Sequence, residues 1–391
     1  MPLYAIVYSV PIAMQSLHLI FHSRFPSEMA GALFAAKSAE AFAKQGMNIT
    51  LLVSRRRGRL RDDPYAHFGV EKNFKIVHLP VLDLFGIPVI QKIAYPINFL
   101  TFSLSVFFYL LFTATKKDYI YSNEILPLLF VSSVFKETCY ELHDYPEKYK
   151  APYRLLFKRI KLILVTNRLK IEKLKKEFHV PESKIYYEPN AVSLEQFSLS
   201  LSKEEARKKV GLPQGAQVVL YTGHLYSWKG VDTLALAARD LDQVLVVIVG
   251  GNDSDRKKFI EKYQDIPNVL TVPFRPHSEI PLWQKAADIL VIPNTAREKI
   301  SSMYTSPLKL FEYMASGVPI VASKIASIED IISADQAFFF TPDNPSSLSD
   351  TITYALKHRA EALKKAAQAK TAVARHSYGA RAGRISEKLH E

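Results

Sequence analysis

Hydrophobic and polar positions along this chain follow two rhythms. In the first half, short apolar runs bounded by turn-forming residues recur at 17–22, 48–53, 119–122, 137–142 and 162–166. They lack the in–out alternation of a sheet with one wet face, so they read as buried strands of a parallel sheet. Between them, residues 29–45 and the basic stretches 153–161 and 168–178 repeat apolar positions at helical spacing. A second round begins with strands at 217–222, 245–250, 269–272, 288–292 and 318–322, again separated by helical segments. Polar residues at 193–202 part the two rounds, and helices follow one another from Pro345 to a last one at 377–390. The pattern predicts the α/β class, with two Rossmann-like units spanning residues 1–195 and 196–375.

The most informative stretch is 305–323, TSPLKLFEYMASGVPIVAS. Ser306 is placed to cap a helix whose first residue, Pro307, loses nothing by lacking an N–H. Leu308, Leu310, Phe311, Met314 and Ala315 recur at helical spacing and predict one buried face. Gly317 suits a left-handed stop, and Pro319 prevents continuation into the strand at 318–322. The N–H groups of Leu308 and Lys309 at such an N-terminus form a seat for phosphate. Glu312 falls one turn inside, within reach of a sugar hydroxyl attached to that phosphate.

Other candidates lie at strand ends. Gly223 follows the strand 217–222 and permits a sharp turn; Lys229 sits just ahead of a helix, where its ammonium needs an anion against the helix dipole. The strand 137–142 delivers His143 to the carboxyl edge, where open α/β sheets hold their ligands. Ala30-Gly31 enters the first helix through a loop small enough for a phosphate or sugar to approach the backbone. Asp253 and Asp255 form a short D-x-D, but they fit the start of a helix better than a metal site, and no metal is expected.

Composition narrows the class. The 391 residues suffice for two domains, and 48% hydrophobic with 23% charged residues is globular. The single cysteine, Cys139, excludes an intramolecular disulfide framework and a Cys-based zinc site. A formal charge of +13 points to an anionic partner. Arg55, Arg56, Arg57, Arg59 and Arg61 crowd one loop, and residues 97–114 carry no charge. The latter predict a buried or interfacial helix rather than a span, because a span would cut a Rossmann-like domain in two. Residues 1–16 are apolar, lack the basic start of a secretory signal, and form an extension of unassigned role.

SPLKLFEYMASGVPIVAS resembles the donor-binding segment of family 4 glycosyltransferases, the retaining GT-B group. YELHDYP and GHLYSWKG resemble two further segments of that family. The resemblance implies two Rossmann-like domains facing a central cleft, with the final residues, 376–391, crossing back to the first domain. It implies an acceptor site in the N-terminal domain and a nucleotide diphospho-sugar in the C-terminal one, with transfer to an acceptor hydroxyl. Glu312 would hold the ribose, and Ser306, Leu308 and Lys309 would frame the diphosphate. His143 would lie beside the transferred sugar, and Gly31 would belong to the family's glycine-bearing first loop. Gly223 opens the segment in which Lys229 and an arginine neutralise the diphosphate; here His224 replaces that arginine, so activity is expected to weaken as His224 deprotonates. Tyr304 stands where the family often has the first of two glutamates, and Glu298 is near in sequence. No cofactor or metal is implied, and the expected location is cytoplasmic, with peripheral contact to an anionic membrane and a sugar or lipid-linked acceptor. Two other classes share these features: a non-hydrolysing sugar-nucleotide epimerase and a non-catalytic nucleotide-sugar-binding scaffold. Scattered basic residues without a recognition motif argue against nucleic acid.

Overall fold

The computed structural model describes residues 15–27, 29–56, 62–85 and 90–391. Nearly all of the N-terminal extension, together with Arg57, Arg59 and Arg61, lies outside the described residues. Strands β1 (Ser16–Phe21), β2 (Asn48–Ser54), β3 (Lys75–Leu79), β4 (Tyr119–Ser122), β5 (Thr138–Leu142), β6 (Leu162–Val165) and β7 (Ile185–Tyr187) form one sheet. Its order is β3-β2-β1-β4-β5-β6-β7. Strands β8 (Gln217–Thr222), β9 (Val244–Val249), β10 (Val269–Val272), β11 (Ile289–Ile292), β12 (Ile320–Ser323) and β13 (Phe338–Phe340) form a second, ordered β10-β9-β8-β11-β12-β13. The pairings are parallel, as for Leu19 with Leu51 on β2 and Tyr121 on β4.

Burial on both faces explains the uniform apolar runs: every residue of β4, β6, β11 and β12 is buried. The pattern did not announce β3, β7 and β13, which are only three to five residues long. In both sheets the order reverses beside the first strand of the set, β1 or β8. Crevices at the carboxyl ends of such strands are where open α/β sheets bind ligands.

The chain divides into two compact units, one of 1–141, 149–163 and 382–391, the other of 142–148 and 164–381. In the first, Lys161 Nζ donates to the Leu389 carbonyl at 2.7 Å, tying the end of the chain to the start of β6. In the second, Arg207 from the Lys203–Val210 helix is 3% exposed. Its Nη2 meets Asp288 Oδ2 at 2.6 Å, at the head of β11, and the same oxygen accepts the Val218 N–H at 2.8 Å.

Candidate nucleotide-sugar site

The helix Leu308–Ser316 departs from expectation at its start. Pro307 is the N-cap, and no side chain caps it. Ser306 is instead buried against Asn190, whose Nδ2 donates to the Ser306 carbonyl at 2.6 Å. Asn190 holds the segment entering the helix, so capping is replaced by a tether. Gly317 ends the helix at φ +70°, as its sequence position predicts.

Two lysine ammoniums and a histidine converge beside β8. Lys309, the second residue of the helix, is nine-tenths buried and its Nζ has no hydrogen-bond partner. That ammonium lies 3.7 Å from the centre of the Tyr221 ring and 2.9 Å from where a Cβ on Gly223 would stand. Gly223, at φ +132°, therefore leaves the room that the lysine head fills. Lys229 closes a single 3-10 turn, Ser227–Lys229, with Nζ 3.6 Å over the Trp228 ring. The aromatic face supplies the negative potential that the helix dipole denies it. Gly230 fixes this turn: a Cβ there would stand 1.9 Å from the Pro293 carbonyl oxygen, after β11.

Burial pushes the Lys229 ammonium down to about 7. Burial, and then the charge of Lys229, hold Lys309 well below the ordinary lysine value, with Glu312 opposing. His224 is lowered by burial, then by Lys309 and Lys229, with Asp255 opposing. Its ring stacks on Tyr226 at 5.0 Å, 15° from parallel, and Tyr226 stacks on Trp228 at 6.4 Å. Positive charge crowded in this way around a turn favours an anion.

Glu312 faces His277, whose Nε2 lies 2.8 Å from Glu312 Oε1, while Gln196 Nε2 lies 3.1 Å from His277 Nδ1. The carboxylate is thus oriented, with its other oxygen left for a ligand. Tyr304 is 3% exposed, and its hydroxyl is engaged by Glu147 and Lys173 while its ring stacks on Tyr145 at 5.2 Å. Lys173 Nζ sits 3.1 Å from Glu147 Oε1. Glu147, from the loop that carries His143, thus brings a carboxylate to the Tyr304 hydroxyl. Glu298 accepts from the Ser227 hydroxyl at 2.9 Å, which brings it to the Lys229 turn rather than to Tyr304.

The backbone at His143 is anchored by Lys170, a fully buried ammonium donating to the Leu142 carbonyl at 2.9 Å and the His143 carbonyl at 2.5 Å. Gly31 lies in the first unit, in the opening turn of the Ala30–Lys44 helix, where an added Cβ would touch the Phe21 ring at 3.4 Å. Asn252 caps the Asp253–Lys262 helix by accepting the Asp255 N–H at 2.8 Å. Among the described residues no three His, Cys, Asp or Glu side chains gather as a metal site needs.

Sequence reading missed the Lys309 ammonium, His277, Glu147, Lys170 and Lys173. Lys309 was legible only as a backbone donor, and the others meet the site from 26 to 157 residues away in the chain.

Two doubly wound parallel sheets, with a cationic turn after β8 and a helix start beside it, give the chain the two-sheet α/β fold of solved GT-B glycosyltransferases. Residues 202–373 match the family glycosyl transferases group 1. D-inositol 3-phosphate glycosyltransferase 1 of Catenulispora acidiphila is 29% identical over 147 residues, covering 34% of each chain. The putative colanic acid biosynthesis glycosyltransferase WcaL of Escherichia coli is 26% identical over 203 residues, 50% of this chain and 47% of that one. The chain thus spans about a third to a half of the length of these curated relatives. Sucrose-phosphate synthase from Thermosynechococcus elongatus superposes with TM-score 0.77 at 18% identity, covering 96% of this chain and 98% of that one. Anabaena HepE in complex with UDP-glucose does so with TM-score 0.72 at 17% identity, covering 96% and 99%.

Proposed function

We propose that this protein is a retaining, metal-independent glycosyltransferase of family 4. It moves a sugar from a nucleotide diphospho-sugar to the hydroxyl of a lipid-linked or cell-envelope acceptor, in the cytoplasm and in peripheral contact with an anionic membrane. The observation that carries the reading is the unpartnered Lys309 ammonium at the Gly223 turn, beside Lys229 and the start of the Leu308–Ser316 helix. Charge builds on the diphosphate as the anomeric C–O bond breaks, and donors fixed in a dry site stabilise it most. The relative named for colanic acid biosynthesis supports the acceptor class. HepE, whose structure holds UDP-glucose, supports the donor class.

In this reading Lys229, Lys309 and the N–H groups of Leu308 and Lys309 bind the diphosphate, with His224 beside them. Glu312, oriented by His277, holds the ribose. His143 positions the transferred sugar, and Glu147, tied to Tyr304 and Lys173, offers the nearby carboxylate. Retaining glycosidases use a carboxylate pair for double displacement. Here the acceptor oxygen attacks from the face the diphosphate leaves, and its proton passes to a departing phosphate oxygen.

The test is a thermal-shift series with UDP-, GDP- and ADP-sugars. A donor at about 100 times its dissociation constant adds about 2.7 kcal/mol of stability. One nucleotide should raise the melting temperature of the wild type and not that of Glu312→Ala or Lys229→Ala. A wild type indifferent to all three would remove the donor site.

Donor binding should also be coupled to protons. A phosphate beside Lys229 raises its pKa from about 7 back toward the ordinary 10.5, so the complex holds a proton that the free protein has lost. Affinity is therefore highest below about pH 7 and falls as pH rises through that window. Calorimetry at pH 8 in two buffers of different ionisation enthalpy should show proton uptake; equal heats in both would contradict the assignment.

A further inference from the structure

We infer that the outward face of the Gln91–Thr113 helix rests in the headgroup–acyl boundary of an anionic bilayer, its axis along the membrane plane. The inference deepens the lipid-linked acceptor reading above and rests on it only for the identity of the substrate.

This 23-residue helix is long and apolar enough, by length and composition, to cross a membrane. Yet it packs one face into the first unit and has its polarity inverted. Asn98 and Ser103 are fully buried. Asn98 Oδ1 accepts from His22 Nε2 at 2.8 Å, and its Nδ2 donates to the Leu82 carbonyl at 3.1 Å. Thr101 Oγ1 accepts the Leu82 N–H at 3.1 Å, and Ser105 donates to the Pro80 carbonyl at 2.7 Å. The polar side chains are thus spent on the protein. Ile93, Leu100, Leu104, Phe108, Leu111 and Phe112 are instead exposed, Phe112 to 83%. At 100° per residue the first five fall in a sector of roughly 80°, and they run for about 27 Å. A helix meant for water presents the opposite face. A continuous apolar stripe of this kind marks a contact surface.

Charge selects the occupant. No acidic residue lies between Gln91 and Lys117, while Lys92 is exposed at one end of the helix and Lys116 and Lys117 beyond the other. Arg56, from the arginine-rich loop, stacks its guanidinium 4.1 Å over the partly exposed Phe85 ring, three residues after the exposed Leu82. Apolar side chains flanked by such cations match acyl chains beneath lipid phosphates, the cations resting at headgroup level. A second copy would instead bring one chain of net charge +13 against another.

The experiment is co-sedimentation of the full chain with phosphatidylcholine vesicles, with and without phosphatidylglycerol, beside sedimentation velocity without lipid. The wild type should bind, more tightly to the anionic vesicles. The double variant Leu104→Glu/Phe108→Glu should lose about tenfold or more of that partitioning. The same pair of charges at Leu236 and Ile260, exposed positions of the second unit, should cost nothing. An unchanged melting temperature shows that the variant folds; the milder Leu104→Ser/Phe108→Ser serves if it does not, with a smaller loss in the same direction. Wild type that ignores both vesicles, or a variant that binds them equally, overturns the inference. So does a wild-type dimer that the variant dissociates. The nucleotide-sugar shift is read on the same samples: its absence with intact vesicle binding defeats the transferase reading alone, and the reverse result defeats this one alone.

Discussion

Lys309→Met is expected to lower kcat/KM by about 10²–10³-fold, the loss seen when one preorganised donor to a developing oxyanion is removed. The same substitution should leave the melting temperature unchanged or raise it. The Lys309 head is buried, lacks a hydrogen-bond partner in the protein and stands near a second lysine, which is an unfavourable place for a cation. Methionine fills a similar volume with no polar atom to desolvate. A group kept for packing would show the reverse, falling stability with intact turnover. Steady-state kinetics and a melting curve on one preparation decide between the two, and a variant that loses both would refute the assignment.

Asp288→Ala should cost about 3–5 kcal/mol of unfolding free energy, among the largest effects available to a single side chain outside the candidate site. Its carboxylate holds Arg207 at 2.6 Å, the Val218 N–H at 2.8 Å and Lys203 at 2.6 Å. Removing it strands a guanidinium that is 3% exposed, although Arg207 still donates to the Ala286 and Gln214 carbonyls. Arg207→Met should be milder, because the remaining carboxylate is partly solvated and keeps Lys203. Urea unfolding of both variants tests the asymmetry; equal losses would mean that the pair acts through packing rather than through charge.

The strands were legible because burial on both faces leaves runs such as LILV and ILVI, whatever their partners. The Leu308–Ser316 helix was legible in its apolar spacing and its stop at Gly317, but not in its cap. Ser306 carries the right chemistry for an N-cap, and a tertiary contact with Asn190 claimed it first. Lys309 was legible as a backbone donor at the helix start, not through its side chain. Only the Gly223 turn, 86 residues earlier, makes its head an inward one. Tyr304 shows the same limit: its hydroxyl meets a carboxylate 157 residues away, a pairing that no local spacing encodes. The sequence of residues 97–114 predicts a helix, buried or interfacial. Which face the rest of the unit covers is a tertiary fact, so the inversion of its polarity was hidden.

The division of the chain has a consequence for biosynthesis. The backbone passes from one compact unit to the other after residues 141, 148, 163 and 381. Neither unit is therefore a contiguous stretch that a ribosome could release and leave to mature on its own. The first unit waits for residues 382–391, including the Leu389 carbonyl that Lys161 engages, until the whole second unit has been made. Fragments cut at the polar segment near 195 would lack pieces of both structures, and nascent chains stalled before residue 382 should remain open to proteases and chaperones.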